Sequence, residues 1–412
     1  MKSFIVNLFK TKILVGRLRA IVVIIRYPLR AWIYSIASKF ALNVVNRKEL
    51  SSNNEKYHIL HFGVEESVLV SEPNSKLNEL PSFIKKKIGT ILTWEQPFVS
   101  EVANAEIVGS TAIGFDRESN LIAETTNPYN LARGLPIRTL LLKNLPTWRF
   151  LEQDTVCSLV CGHRNYYHWL TESLTRIEGL EYYQEHIGRK SALIIDANLS
   201  KWQIESLRLL GYEPDDCLRW NWSKIKVKRL VIPSFRRKGT ISPTTCRWLR
   251  DRLVSNLPDL GSKKPLFSSR IYISRAKTAG RRVINEDDVL EALKPFGFVA
   301  YTLEEMSFTD QVRLFSQAEI VVAAHGAGLT NIMFAQNLKV IELFGSYGDA
   351  AYFILSKVLG FDYGCLWLGD EEKNLPGEKY NGIVIDIAKL RALVEEMLNI
   401  EYGDRQPAST AF

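Results

Sequence analysis

Two stretches of the chain concentrate residue types able to do chemistry. In the first, Asn165, Tyr166, Tyr167, His168, Trp169 and Glu172 crowd together, with His168 and Glu172 four positions apart. On a helix that spacing puts both on one face. A carboxylate beside an imidazole orients the ring and raises its basicity, as a general base requires. A helix capped by Asn165, with aromatic core contacts and an incidental His–Glu pair, would show the same spacing.

The second stretch runs from Glu319 to Phe334. Its apolar, β-branched run Ile320 to Ala324 predicts a buried strand. His325, Gly326, Ala327 and Gly328 interrupt it, and Leu329 to Ala335 predicts the start of a helix. A strand, a tight glycine turn and a helix N-terminus gather free backbone N–H groups and a positive helix end, a cradle suited to a diphosphate. Gly326 and Gly328 would let backbone approach the ligand, and Thr330 and Asn331 would add donors. A tight turn in an ordinary α/β sheet has the same composition.

A third set lies just past the strand Arg270 to Ser274. Ser274, Arg275 and Lys277 could neutralise a leaving diphosphate, with arginine able to hold two oxygens. Arg281 and Arg282 could assist, although exposed basic loop residues are commonly just solvated. Glu342, at the end of the strand after the glycine turn, sits where an acid can bind ribose hydroxyls.

These residues need elements to position them. From Val156 the pattern alternates: strand Thr155 to Val160, a turn Cys161 to Asn165, helix Tyr166 to Glu181, strand Ala192 to Asp196, helix Ser200 to Leu210, strand Arg229 to Pro233 and helix Thr244 to Val254. A linker at 260–269 follows. Then come strand Arg270 to Ser274, helix Asn285 to Leu293, strand Phe298 to Thr302, helix Thr309 to Gln317, the glycine unit, strand Lys339 to Phe344, helix Ala350 to Val358 and helix Ile387 to Leu398. Such alternation predicts parallel sheets covered on both faces, with ligands at their carboxyl ends. Upstream, Glu106 to Phe115 and Asn120 to Thr125 predict two strands around a polar turn. The resulting divisions are a basic amphipathic arm (1–48), a β-rich extension (49–150), two Rossmann-like domains (151–259 and 260–403) facing a cleft, and a tail (404–412).

The arm holds ten of the 53 Lys and Arg residues and no Asp or Glu, leaving 43 basic against 45 acidic residues elsewhere. The body is thus near neutral, which argues against a nucleic-acid-binding face. The arm's longest apolar run, Ala20 to Ile25, is far short of the ~20 residues a bilayer span needs. It also lacks the pattern of a signal peptide. Basic residues mixed with Phe, Ile, Trp and Tyr predict a helix on an anionic membrane surface through residues 1–45, on the cytoplasmic side; the alternative is a helix packed on the body. The five cysteines have no zinc-finger spacing and predict reduced core thiols.

The ordered motifs — Asn165 to Glu172, Arg270 to Arg275, then His325 to Asn331 with Glu342 — resemble glycosyltransferase family 61, whose bacterial members are tied to capsular or surface polysaccharide synthesis. The resemblance covers roughly residues 150–345. It implies an α/β GT-B fold, an inverting mechanism, and transfer from a nucleotide-sugar such as a UDP-sugar to a saccharide or lipid-linked saccharide hydroxyl, without metal or other cofactor. It places Ser274, Arg275 and the run His325, Gly326, Ala327, Gly328, Leu329, Thr330 and Asn331 around the nucleotide. Asn165, Tyr166, Tyr167, His168 and Glu172 then lie on the acceptor side. No two aspartates are two positions apart, so the chain lacks the Asp-x-Asp pattern of metal-dependent transferases. Two rivals are an NAD-dependent oxidoreductase, whose third glycine would fall at Asn331, and a non-catalytic scaffold binding saccharide or nucleotide at the membrane.

Overall fold

The computed structural model describes residues 43–75, 80–126, 131, 135–160, 165–261, 267–278, 280–367 and 382–399. Most of the basic arm, the Cys161 turn, the middle of the linker and the tail lie outside the described residues. Among those described, no helix is long and apolar enough to cross a membrane. The chain divides into two units interleaved in sequence.

One unit comprises described residues of 43–59, 100–160 and 220–232. It carries a mixed sheet in the order Val44–Val45, Leu121–Ile122, Ile113–Phe115, Phe98–Val108, Lys224–Pro233, Thr155–Ser158. The last two strands are parallel, with Val156 opposite Leu230, whereas Glu106 faces Phe115 in an antiparallel pair. Val108, Ile113, Phe115, Leu121 and Leu135 form the core, closed by Leu140 and Leu142.

The single strand expected over Glu106 to Phe115 is instead a hairpin. Gly109 turns the chain at φ +80°, in the left-handed region, and Ala112 donates its N–H back to the Gly109 carbonyl at 3.1 Å. The strand expected over Asn120 to Thr125 keeps only Leu121–Ile122 before a 3₁₀ turn at Ala123–Thr125.

The second unit comprises described residues of 60–99, 165–219 and 233–399. It contains a five-stranded sheet: β1 (Arg270–Ile273), β2 (Val299–Tyr301), β3 (Ile320–Ala324), β4 (Lys339–Phe344) and β5 (Asp362–Trp367). All neighbours are parallel and the order is β2-β1-β3-β4-β5. All of β3 is buried, as its unbroken apolar run requires of a strand covered on both faces. Helices Glu286–Leu293 and Ile387–Leu398 cover it, with Val289, Leu293, Leu390 and Leu393 packed on Val322 and Ile341. β5 is a strand the sequence reading did not single out.

Two helical expectations change in kind. The helix predicted from Tyr166 begins as α at Tyr166–His168, widens to a π turn at Trp169–Ser173 and resumes as α at Arg176–Ile187. Leu174 N–H closes the wide turn on the Trp169 carbonyl at 2.9 Å. After the glycine turn the chain forms a 3₁₀ helix over Ala327–Phe334, not an α-helix.

The Gly109 hairpin sets a stability test. A Cβ there would lie 2.4 Å from Thr139 Oγ1 on a backbone at φ +80°. Gly109→Ala should lower urea-unfolding stability by about 1–3 kcal/mol. Adding Thr139→Ala should recover part of that loss by removing the clash while the backbone strain remains. Wild-type stability in Gly109→Ala would refute the account.

Candidate active site

The acceptor-side residues come from the irregular helix. Asn165 caps it, its side chain accepting from Tyr167 N–H at 2.8 Å. His168 Nδ1 lies 2.7 Å from Glu172 Oε1, so the spacing seen in sequence is a contact in the fold. Glu172 is buried, while the His168 side chain keeps 26% exposure. A carboxylate accepts only, so Nδ1 carries the proton toward Glu172, which fixes the orientation of the ring.

Arg237, which sequence reasoning missed, completes this group. Its Nη1 donates to the same Glu172 oxygen, and its guanidinium lies 5.1 Å from the Tyr167 ring centroid. It comes from the short strand Arg237–Lys238, distant in sequence and without a motif of its own. Charge pairing on a buried carboxylate was the only available signal, and that needs the fold.

The glycine turn lies at the carboxyl end of β3. Gly326 has φ 170°, an extended conformation open to any residue. Its need for glycine is spatial, since a Cβ would meet Arg275 Nη1 at 2.2 Å. A Cβ at Gly328 would meet Leu303 Cδ1 at 2.9 Å. The approach expected of a ligand at these two glycines is thus made by protein side chains.

Arg275 follows β1 and donates from Nη2 to the Gly280 carbonyl at 3.1 Å. Its Nε is buried with no hydrogen-bond partner among the described residues. Burial, with repulsion from Arg281, pushes the guanidinium down from its ordinary value. A cation held under those conditions favours an anion beside it. Ser274 is buried and accepts from Ala276 N–H at 3.2 Å. Lys277 is exposed and paired with Glu305. Arg281 sits 5.7 Å from the Tyr347 ring.

Several residues expected at the nucleotide are engaged within the protein. Leu329, Thr330 and Asn331 are buried. Asn331 accepts from the Tyr166 hydroxyl and donates to Gln311 Oε1 at 3.0 Å, so Asn331 and Tyr166 tie the two motifs together. Thr330 Oγ1 lies 3.5 Å from the Tyr352 hydroxyl. Glu342, expected at a ribose, has no exposed surface: Oε1 is 2.6 Å from His325 Nδ1, and Oε2 accepts from the Tyr363 hydroxyl at 2.6 Å.

His325 likewise has both ring nitrogens engaged, Nε2 facing Asp349 Oδ2 at 3.6 Å. Burial pulls its imidazole down, but Asp349 and Glu342 outweigh burial and push it up to about 9. Burial raises the Glu342 carboxyl, with His325 opposing. His325 is therefore held between two carboxylates with both ring nitrogens engaged within the protein. Among the described residues no group of three or more His, Cys, Asp and Glu side chains is arranged to hold a metal ion.

Tyr352 joins the two motifs. Its ring centroid lies 6.2 Å from that of Tyr167 and 5.5 Å from that of His325. Tyr167 in turn lies 5.6 Å from His168. A carboxylate-oriented histidine and a glycine turn backed by a buried arginine thus share one region at the carboxyl end of the parallel sheet, where open α/β folds bind ligands.

The His325 cluster has a pH consequence. A folded-state value near 9 against an ordinary 6.5 contributes up to about 3 kcal/mol, present in full below about pH 6.5 and lost as pH rises through about 9. The unfolding free energy of wild type relative to His325→Gln should therefore shrink across that window. NMR should show the His325 ring titrating in its upper part; titration near 6.5 would overturn the assignment.

Residues 166–341 match the family model described as Glycosyltransferase 61. Two of the similar curated proteins are EGF domain-specific O-linked N-acetylglucosamine transferases. The one from Mus musculus is 31% identical over 100 residues, covering 23% of this chain and 19% of that protein. The one from Drosophila melanogaster is 34% identical over 106 residues, covering 24% and 20%. The chain thus spans about a fifth of the length of these relatives. The matched segment carries His168, Glu172, Arg237, Arg275 and the glycine turn, and over residues 166–341 this chain is similar to glycosyltransferase family 61.

Proposed function

We propose that the chain is an inverting glycosyltransferase of GT-B type that moves a sugar from a nucleotide diphosphate donor to a saccharide hydroxyl without a metal ion. The observation that carries this reading is the His168–Glu172 pair, two aromatic rings away from the turn backed by Arg275. His168 Nε2 takes the proton from the acceptor hydroxyl as its oxygen attacks the anomeric carbon. The bond from that carbon to the diphosphate oxygen breaks, and the electron pair leaves with the diphosphate. Arg275 and the N–H groups of the turn meet the charge that develops there.

Glu172 holds the ring and stabilises the imidazolium that forms, and Arg237 holds Glu172. His325 and Glu342 shape the turn from beneath. The named activity of the relatives makes UDP-N-acetylglucosamine the first donor to screen. Synthesis of capsular or other surface polysaccharide on the cytoplasmic face of the membrane, with residues 1–45 as the contact, is the setting we propose, and a lipid-linked saccharide is the matching acceptor.

Calorimetric titration with UDP, with and without EDTA, tests the donor side. Binding that survives EDTA is the expected outcome; binding of NAD with no response to UDP would overturn the reading. Arg275→Ala should weaken UDP binding by about tenfold or more, the scale of one lost charge-assisted contact. His168→Ala should slow transfer by about 10²–10⁴-fold while UDP affinity holds. Wild-type UDP affinity in Arg275→Ala, or wild-type turnover in His168→Ala, would remove the corresponding role.

A further inference from the structure

The unit built on Val44–Val45 carries a surface that no step of glycosyl transfer uses. Within ten residues it leaves four large apolar side chains in solvent: Leu141 at 65%, Leu145 at 57%, Trp148 at 87% and Phe150 at 69% exposure. Single exposed apolar residues are ordinary, but a contiguous set marks an interaction site. Helix Ile137–Lys143 turns Leu140 and Leu142 onto the core around Phe115, which leaves Leu141 facing outward.

The segment after this helix is held firmly. Lys224 Nζ donates to the carbonyls of Lys143 at 2.8 Å and Leu145 at 2.9 Å. Lys226 N–H donates to the Arg149 carbonyl at 3.0 Å, and Leu151 N–H to the Lys226 carbonyl at 3.1 Å. Trp148 and Phe150 are therefore displayed on a laced sheet edge, not on a frayed loop.

The two segments that build this surface are basic. Residues 135–151 and 221–228 hold six Lys and Arg and no Asp or Glu. The neighbouring acids are Glu106, which pairs with Lys224 and Lys226, Asp154, which pairs with Lys228, and the exposed Glu152. Lys226 Nζ also lies 5.8 Å from the Phe150 ring centroid. Beside Trp148 a hollow of about 490 Å³ opens between Leu142, Leu145, Trp222 and Lys224.

Tryptophan, phenylalanine and leucine ringed by lysine and arginine are the mixture that seats a protein in the headgroup layer of an anionic bilayer. Thr147, Asn221 and Ser223 also line the hollow, whereas the exposed Leu141, Leu145 and Phe150 offer a sugar hydroxyl no partner. The chain also enters this same unit, at Val44–Val45, from a sequence of 42 residues that is basic and rich in apolar residues.

We infer that the Leu141–Phe150 surface docks this unit onto an anionic lipid bilayer, with Trp148 and Phe150 inserted among the headgroups. The contact is separate from the one assigned to residues 1–45, and it does not depend on the transfer reaction. No sugar donor enters its test, so failure of either reading leaves the other standing.

The test is flotation of the full-length protein with vesicles of phosphatidylcholine alone or mixed with phosphatidylglycerol. Wild type should float with the mixed vesicles, with binding that weakens as salt rises. Trp148→Ala combined with Phe150→Ala should weaken binding by at least about tenfold, given the apolar area each ring would bury. Ile91→Ala, at a similarly exposed apolar residue of the other unit, should bind as wild type does. Brominated lipid should quench wild-type tryptophan emission more than that of Trp148→Phe.

Equal binding by the double variant and wild type would overturn the inference and assign attachment to another surface. So would failure of wild type to float, or equal binding to neutral vesicles. A Trp148-dependent emission change with soluble oligosaccharide and none with vesicles would reassign the surface to saccharide. Self-association that is lost in the double variant, without vesicle binding, would reassign it to a second copy of the chain.

Discussion

A carboxylate in the middle of a fully covered parallel sheet must be met by a cation or by donors, because the desolvation of an unpaired charge there exceeds what folding can offset. Glu342 occupies that position on β4, with Ala323 and Cys365 opposite it on the neighbouring strands. Its two oxygens are met by His325, from the residue after β3, and by Tyr363 on β5. This three-strand tie fixes where β3 ends. His325 then stacks on Phe344 with ring centroids 5.3 Å apart, and its other nitrogen reaches Asp349.

The site grows outward from that tie. With His325 held, Gly326 runs extended past the Arg275 guanidinium, and the space left by its missing Cβ is what Arg275 fills. The 3₁₀ helix that follows buries Asn331 against Tyr166 and Gln311, which draws the start of the aromatic helix to the turn. Tyr352 packs between Tyr167 and His325 and lines up the two motifs. Two histidines thus meet two different surroundings in one region. His325 is buried between two carboxylates, whereas His168 is partly exposed beside Glu172 and Arg237. Surroundings decide the difference, since both rings contact a carboxylate through Nδ1.

The division of labour extends to the two units. The unit with the five-stranded parallel sheet holds every residue placed in the site, while the unit with the mixed sheet carries the exposed aromatic and basic edge. The two surfaces differ in chemistry, polar and cationic in one and apolar with a basic rim in the other.

Much of this was legible in the residues. The β-branched run of β3, the strand after the linker and the helix Ile387–Leu398 were clear because periodic apolar patterns report local burial. The His168–Glu172 pair was clear because helical spacing is a local property that survives the π turn. By contrast, the partners of Glu342, the place of Arg237 beside Glu172 and the filling of Gly326 by Arg275 are pairings between side chains far apart in sequence. A buried carboxylate on β4 and an acid at a ribose have the same letter and the same position in the pattern, and only knowing what surrounds it separates them. Sequence determined which elements form and which reactive groups the chain possesses, since those follow from propensity, period and composition. Tertiary structure alone decided which groups are exposed, which are neutralised and which are left to act, because burial and charge pairing depend on neighbours that no local spacing encodes.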